Sequence, residues 1–370
     1  MKLTAWPWIA AASALLIAAG FAQGARRPFY GGTLRIEIHA QIRTLDPAEI
    51  AFDADEFSAK QMLAPLVFET LAHFDSKGRL DSGKTGDVAR EQARLRNAAV
   101  TRGQDGSLSG TGPFKIARWE PGRSATLIAN DEYRAGRPFV DAIEIQMGRS
   151  LRDQAADLNL GKADVIEAPL TGEPAGVLPN RVLALVFASD KIPASVREAL
   201  SLAIDRSTIQ KVLLRDRGEA AGSLLPRWLS GYAFLFPAQR DVAKARQLAN
   251  AALPISFGYS QQDTGIRRIA ERISVNAMEA GITLRPANGS PPDVQLELLP
   301  ITARDELASL EDLADLLKLP LLSNPAPYEA ERSMLDGFRV IPVLHVSVGW
   351  SLRPQVHNWP DLPNVWIDPQ

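Results

Sequence analysis

The sequence predicts an α/β or α+β protein of more than one lobe. Three observations carry this. The chain has 370 residues, too many for one small domain and enough for two or three lobes. In its first half, apolar residues alternate with period two in turn-bounded runs, as half-buried strands require. In its second half they recur at helical spacing behind capping aspartates.

The elements follow in order. Lys2 and the apolar run Trp6–Phe21 precede small residues at Gly20/Ala22 and Ala22/Gly24, the pattern of a cleaved signal peptide. The alternative is an uncleaved anchor, with Arg26 and Arg27 just after it. Thr33–His39 alternates Leu34, Ile36 and Ile38 as a strand that ends in the Thr44–Pro47 turn. Phe52–Leu71 reads as a helix with Phe57, Met62 and Leu66 inward and Pro65 as a kink. Residues 78–109 are polar, with at most one short helix, Asp87–Ala98.

Gly110–Met147 is the clearest passage. Glycine and proline open it. Phe114–Trp119, Ala125–Ala129 and Ile143–Met147 then read as three strands separated by turns. Ser150 caps a helix that Gly161 ends, and Ala163–Ile166 reads as a short strand. Thr171–Asn180 reads as an interdomain loop.

Beyond it, Pro193 starts a helix on Val196, Leu200 and Ile204. Asp205 caps the next, with Ile209, Val212 and Leu213 inward. Asp241 and Asp263 start two more, the second closed by Gly281. Arg304–Leu317 carries a leucine stripe, which places Asp312 and Asp315 on its solvated face. Val340–Val348 reads as an edge or buried strand interrupted by proline.

Composition excludes several functions. The net charge of −2 gives no electrostatic case for binding nucleic acid. With no cysteine there is no disulfide, thiolate metal site, cysteine nucleophile or lipid-anchor cysteine. The histidines, His39, His73, His345 and His357, are scattered without the spacing of a metal site. No serine sits in a nucleophile elbow, and the runs at Gly110 and Gly172 lack the context of a phosphate loop. We therefore expect no enzyme, no catalytic residue, no metal and no cofactor.

Gly110–Met147 resembles the signature stretch of solute-binding proteins of the oligopeptide/dipeptide/nickel family, which serve ABC importers. Other pieces are similar in family order: Gly31–Ala48 with its leucine-aspartate-proline turn, Leu66–Leu80, Arg152–Ala168, Val196–Leu214, Asp241–Leu253, Ile269–Leu284 and Arg339–Trp359. The resemblance implies an α/β, two-lobed periplasmic-binding-protein-like fold with mixed sheets. It implies a small solute or short peptide held between the lobes and delivered to an inner-membrane ABC permease. It also implies a periplasmic location and a monomer.

The organisation it implies is a signal peptide over residues 1–24 and lobe one over 25–180, with the polar bridge 78–109 in place of a family subdomain. Lobe two spans 181–335, and 336–370 return to lobe one. A phenylalanine-histidine-aspartate-glycine signature is absent with that subdomain. The stretch Val294–Thr302 also lacks the tryptophan and aspartate that peptide-binding relatives place there. An alternative reading is therefore a degenerate member acting as a periplasmic interaction or sensing protein.

Ligand-facing residues follow by the same resemblance. The loop after the leucine-aspartate-proline turn puts Ala51, Phe52 and Asp53 at the pocket, with Asp53 either facing a cationic ligand or capping the helix. Trp228 and Tyr232 are candidate aromatic walls. His345 and Trp350, on the returning strand, are candidates for the cleft, while Trp119 packs under the sheet.

Overall fold

The computed structural model describes residues 28–46, 49, 51–68, 73–74, 80–81, 101–102, 108–170, 178–236, 238–249, 254–287, 291–301, 305–321 and 325–369. The expected signal peptide, the helix at 87–98, most of the polar bridge and the loop centre at 171–177 lie outside these residues. Within the bridge, Leu80–Asp81 pairs with His73–Phe74 and Thr101–Arg102 pairs with Leu108–Ser109. No described helix is long and apolar enough to cross a membrane.

Two mixed six-stranded sheets organise the chain. The first half supplies β1 (Thr33–Glu37), α1 (Ala54–Val67), β2 (Phe114–Glu120), β3 (Ser124–Ala129), β4 (Ala142–Gln146), α2 (Leu151–Asn159) and β5 (Val165–Glu167). The second supplies β6 (Arg181–Phe187), α3 (Ala194–Ala203), α4 (Val242–Ala249), β7 (Ile255–Tyr259), α5 (Thr264–Glu279), β8 (Leu284–Pro286) and β9 (Val294–Pro300). It continues with α6 (Glu306–Leu317), α7 (Pro327–Leu335), β10 (Val340–Val346) and β11 (Trp350–Leu352).

The first sheet runs β11-β5-β1-β4-β3-β2. β1 lies parallel to β4 and β5, and the β2-β3-β4 meander is antiparallel. The alternation read from the sequence is the cause: Leu34, Ile36, Leu127, Ile143 and Ile145 are fully buried in one core with α1. The glycines opening the meander are close-approach residues. A β-carbon on Gly112 would lie 2.6 Å from the Leu66 carbonyl oxygen, so α1 and this turn meet backbone to backbone.

The second sheet runs from Glu219–Ala220 through β10, β6, β9 and β7 to β8. β6 is apolar on both faces because both are covered. Leu183, Leu185 and Phe187 pack with α3 and α5, while Val182 and Ala184 pack with α6 and α7. β10 is an inner strand, buried along its whole length. Its pairing with β6 shifts register at Leu183/Ala184, which lets Pro342 occupy a place where no ladder donor is needed.

Four readings of the sequence change here. The return to the first sheet, expected from residue 336, comes later: β10 belongs to the second sheet and only Trp350–Leu352 pairs with β5. Val212, expected inward, is 66% exposed. The short helix Arg206–Thr208 widens into a π turn over Ile209–Leu213, which rotates the following residues and buries Leu214 instead. Asp312, expected on a solvated face, is buried, because α6 is covered on more than its leucine stripe. The α1 helix also stops at Val67, two residues after Pro65.

The capping residues read from the sequence all cap. Ser150 Oγ accepts from Asp153 N at 3.1 Å, and Asp205 accepts from Thr208 N at 2.9 Å. Asp263 accepts from Gly265 N at 2.6 Å and Ile266 N at 3.1 Å.

Candidate functional site

A cavity of about 680 Å³ lies between the two sheets. From the first lobe come Ile38 and His39 after β1, Phe52–Asp55 at the entry to α1, and Glu167 at the end of β5 with Ala168 after it. From the second come Arg181, Gln295–Leu298 on β9, and the Tyr259–Asp263 turn at the end of β7. Val348–Trp350, where the chain crosses back, forms the floor with Asn180. Asn180 ties the two crossings together: its Nδ2 donates to the Val348 carbonyl at 3.0 Å and its Oδ1 accepts from Val348 N at 2.9 Å.

The α1 wall is held by buried charges on α1 itself. Glu56 accepts from Arg43 N at 2.8 Å and Phe52 N at 2.7 Å, and pairs with the Arg43 guanidinium at 2.9 Å. Burial pushes its carboxyl up, yet these hydrogen bonds hold it below the usual glutamate range. Lys60 donates to the carbonyls of Asp46 at 2.9 Å and Glu49 at 2.7 Å. These bonds fix the loop that presents Phe52 and Asp53, and Arg43 stacks on the Phe52 ring at 4.9 Å. Lys60→Ala takes the ammonium donor from both carbonyls, leaving that of Asp46 only Glu49 N at 3.2 Å. It should cost about 1–3 kcal/mol and speed amide hydrogen exchange at Glu49–Asp53, read by mass spectrometry. Unchanged exchange there would count against the clamp.

The cavity is acidic. Burial first, then the charges of Asp55 and Asp53, push Glu297 up to about 7. Asp55 is also raised, by burial and then by Asp53, against the opposing pull of His39 and Arg181. Glu167 is raised by burial despite accepting from Gln154 Nε2 at 2.9 Å and His39 N at 2.6 Å. Arg181 is lowered by burial. Asp55 is open to the cavity yet surrounded by protein, so it is wet on one side and poorly solvated on the rest.

Of the residues singled out from the sequence, Phe52, Asp53 and Trp350 line the cavity. Asp53 caps α1, its Oδ1 accepting from Glu56 N at 2.8 Å, while it lines the cavity. Trp350 likewise packs edge-on against Trp359 with ring centroids 5.2 Å apart. Ala51 lies just outside the wall.

Three candidates are placed elsewhere. His345 is buried in the middle of the second sheet, where β10 turns it to the Leu224 carbonyl at 3.2 Å, and burial drops it to about 4. Trp228 donates to the Pro179 carbonyl at 2.8 Å on the outer surface. Tyr232 packs against Phe236 and Tyr328, its buried hydroxyl beside Glu331. Trp119, as expected, packs on the first core, its Nε1 on the Arg43 carbonyl at 3.2 Å.

The sequence reading missed Asp55, Glu167, Arg181, Glu297 and the Tyr259–Asp263 turn. One signal was available: Gln295 and Glu297 interrupt an otherwise apolar strand at alternate positions. Among the described residues no three His, Asp or Glu side chains converge closely enough to hold a metal ion.

Known proteins share this architecture. The family model for bacterial extracellular solute-binding proteins, family 5 Middle, matches residues 25–296. The oligopeptide-binding protein AppA of Bacillus subtilis is 28% identical over 151 residues, 36% of this chain and 26% of that protein. The peptide transport periplasmic protein SapA of Salmonella typhimurium is 24% identical over 229 residues, 55% of this chain and 39% of that protein. The chain thus matches well under half the length of these curated relatives.

Among solved structures, B. subtilis AppA in complex with a nonapeptide superposes with a TM-score of 0.69 at 13% identity, covering 93% of this chain and 100% of that one. NikA from Staphylococcus aureus in complex with Ni(L-His)2 gives 0.68 at 14%, covering 90% and 97%. At such identities the structural likeness establishes the two-lobed α/β fold. With the family model spanning most of its length, this chain belongs to the bacterial extracellular solute-binding proteins, family 5.

Proposed function

We propose that this protein is the extracytoplasmic solute-binding component of an ABC importer. It captures a small solute or short peptide between its lobes and delivers it to an inner-membrane permease. The observation that carries this is the cavity, whose walls come from both sheets and whose floor is the pair of crossing segments. Its volume of about 680 Å³ suits a drug-sized molecule or a peptide of a few residues. Aromatic side chains at Phe52, Tyr259 and Trp350 stand beside a few polar groups, the composition of a recognition site.

Function by this route is hinge closure. Ligand that touches both lobes favours the closed arrangement by the contacts it adds there, and the permease reads that arrangement. Asn180 and Val348 are placed to act as the pivot. We place the protein in the periplasm as a monomer, exported through residues 1–24 and acting without catalysis. Sequencing the amino terminus of the exported form tests the cleavage.

The binding role is tested by a thermal-shift screen of the mature chain against peptides, amino acids, nickel chelates and sugars. A ligand at one hundred times its Kd should stabilise the fold by about 2.7 kcal/mol. A folded sample that shifts with none of these classes would overturn the reading.

A further inference from the structure

Two carboxylates in the cavity have no hydrogen-bond or ion-pair partner among the described residues. Asp55 on α1 and Glu297 on β9 both line it, and neither makes a hydrogen bond or ion pair among the described residues. They are close enough for the charge of one to act on the other. The remaining acids of the wall are already engaged. Asp53 and Asp263 cap helices, and Glu167 accepts from Gln154 and the His39 backbone.

Arg181 is the one guanidinium on the wall among the described residues. It is enclosed, it donates from Nη1 to the Asn180 carbonyl at 2.9 Å, and among the described residues no carboxylate lies within ion-pair distance of it, though the charges of Asp55 and Glu167 act on it. His39 stands near Asp55 with Nδ1 3.3 Å from the Arg149 carbonyl. Among the described residues the wall carries the carboxyl groups of Asp53, Asp55, Glu167, Asp263 and Glu297 against the one guanidinium of Arg181, so negative charge is in excess. A charge enclosed by protein is costly unless an opposite charge meets it.

We infer that the cleft takes a solute of net positive charge, with a protonated amine seated between Asp55 and Glu297. Arg181 then faces an acceptor group on the same solute. This rests on the solute-binding reading and adds the charge class to it.

Four probes of similar length test it by calorimetry at pH 8: 1,5-diaminopentane, lysine amide, neutral 1,5-pentanediol and dianionic glutarate. The cationic members should bind at least tenfold tighter than the other two. Asp55→Asn combined with Glu297→Gln should abolish that preference. Tighter binding of pentanediol or glutarate would overturn the charge assignment while leaving solute binding intact.

A second measurement needs no ligand. Removing either carboxylate relieves repulsion in the empty cleft, so Asp55→Asn and Glu297→Gln should each raise the melting temperature at pH 8. A fall in both would show that these groups are held by the protein itself and would overturn the inference even if no probe binds.

Discussion

Gly112→Ala should unseat the first helix and lower stability by about 3 kcal/mol, at the upper end of overpacking effects. The added β-carbon would stand 2.6 Å from both the Leu66 oxygen and the Val67 carbonyl carbon, and 2.7 Å from the Val67 oxygen. All three are backbone atoms, which cannot swing aside as a side-chain tip can. Gly112 is also pinned, since its N–H donates to the Val67 carbonyl at 2.9 Å and its carbonyl accepts from Asn130 Nδ2 at 2.9 Å. The substitution must therefore displace either the β2 entry or the last turn of α1.

The consequence reaches the cavity. The α1 helix spans both lobes: Leu63, Leu66 and Val67 lie in the first core, whereas Ala54 at its other end packs in the core against α6 and α7. A shift at Val67 is carried along a rigid helix toward Asp55. Chemical denaturation reads the stability loss, and the ligand identified by the thermal-shift screen reads the loss of affinity. A variant with wild-type midpoint and affinity would show that this backbone contact has room to relax.

The same turn illustrates what a sequence discloses. Glycines and a proline ahead of alternating apolar residues announce a strand entry, and the caps Ser150, Asp205 and Asp263 are legible because each acts within three residues. The misread positions depend on what lies far away. Regular helical phase turns Val212 inward, and the π turn over Ile209–Leu213 breaks that phase. His345 sits on a strand of the expected type, but whether the strand faces the cleft or the core depends on which sheet holds it. Asp55 and Glu297 are separated by more than two hundred residues, so no local pattern joins them. The scaffold is local chemistry repeated in order, and the site is a product of packing.

The ligand-free protein should lose stability as pH rises from 6.5 to 8. Glu297 and Glu331 both titrate at about 7 in the folded protein, pushed up chiefly by burial, against an ordinary glutamate value of 4.5. An acid raised on folding binds more protons in the native state than in the unfolded one, so stability is fully present below 4.5 and lost as pH climbs through 7. His345 works the other way, since burial lowers it to about 4 and stability is lost as pH falls from 6.5 toward 4. The two effects oppose each other below 6.5, and above it only the glutamates contribute. Each proton released there contributes a slope of at most about 1.4 kcal/mol per pH unit.

Glu331→Gln isolates one of the two. Its Oε1 accepts from the backbone N–H groups of Leu224 and Leu225, and a glutamine keeps that oxygen while removing the charge. The variant should melt higher than wild type at pH 8, with a flatter slope and a difference that shrinks as pH falls toward 4.5. Glu297→Gln should flatten the slope further, because its carboxylate opens on the cavity rather than on the Tyr232 cluster. Melting curves at constant ionic strength decide it, and a midpoint that rises between pH 6.5 and 8 would contradict the assignment of both groups. A cationic solute reverses part of the trend, since it binds the ionised pair and stabilises most where the empty cleft is least stable.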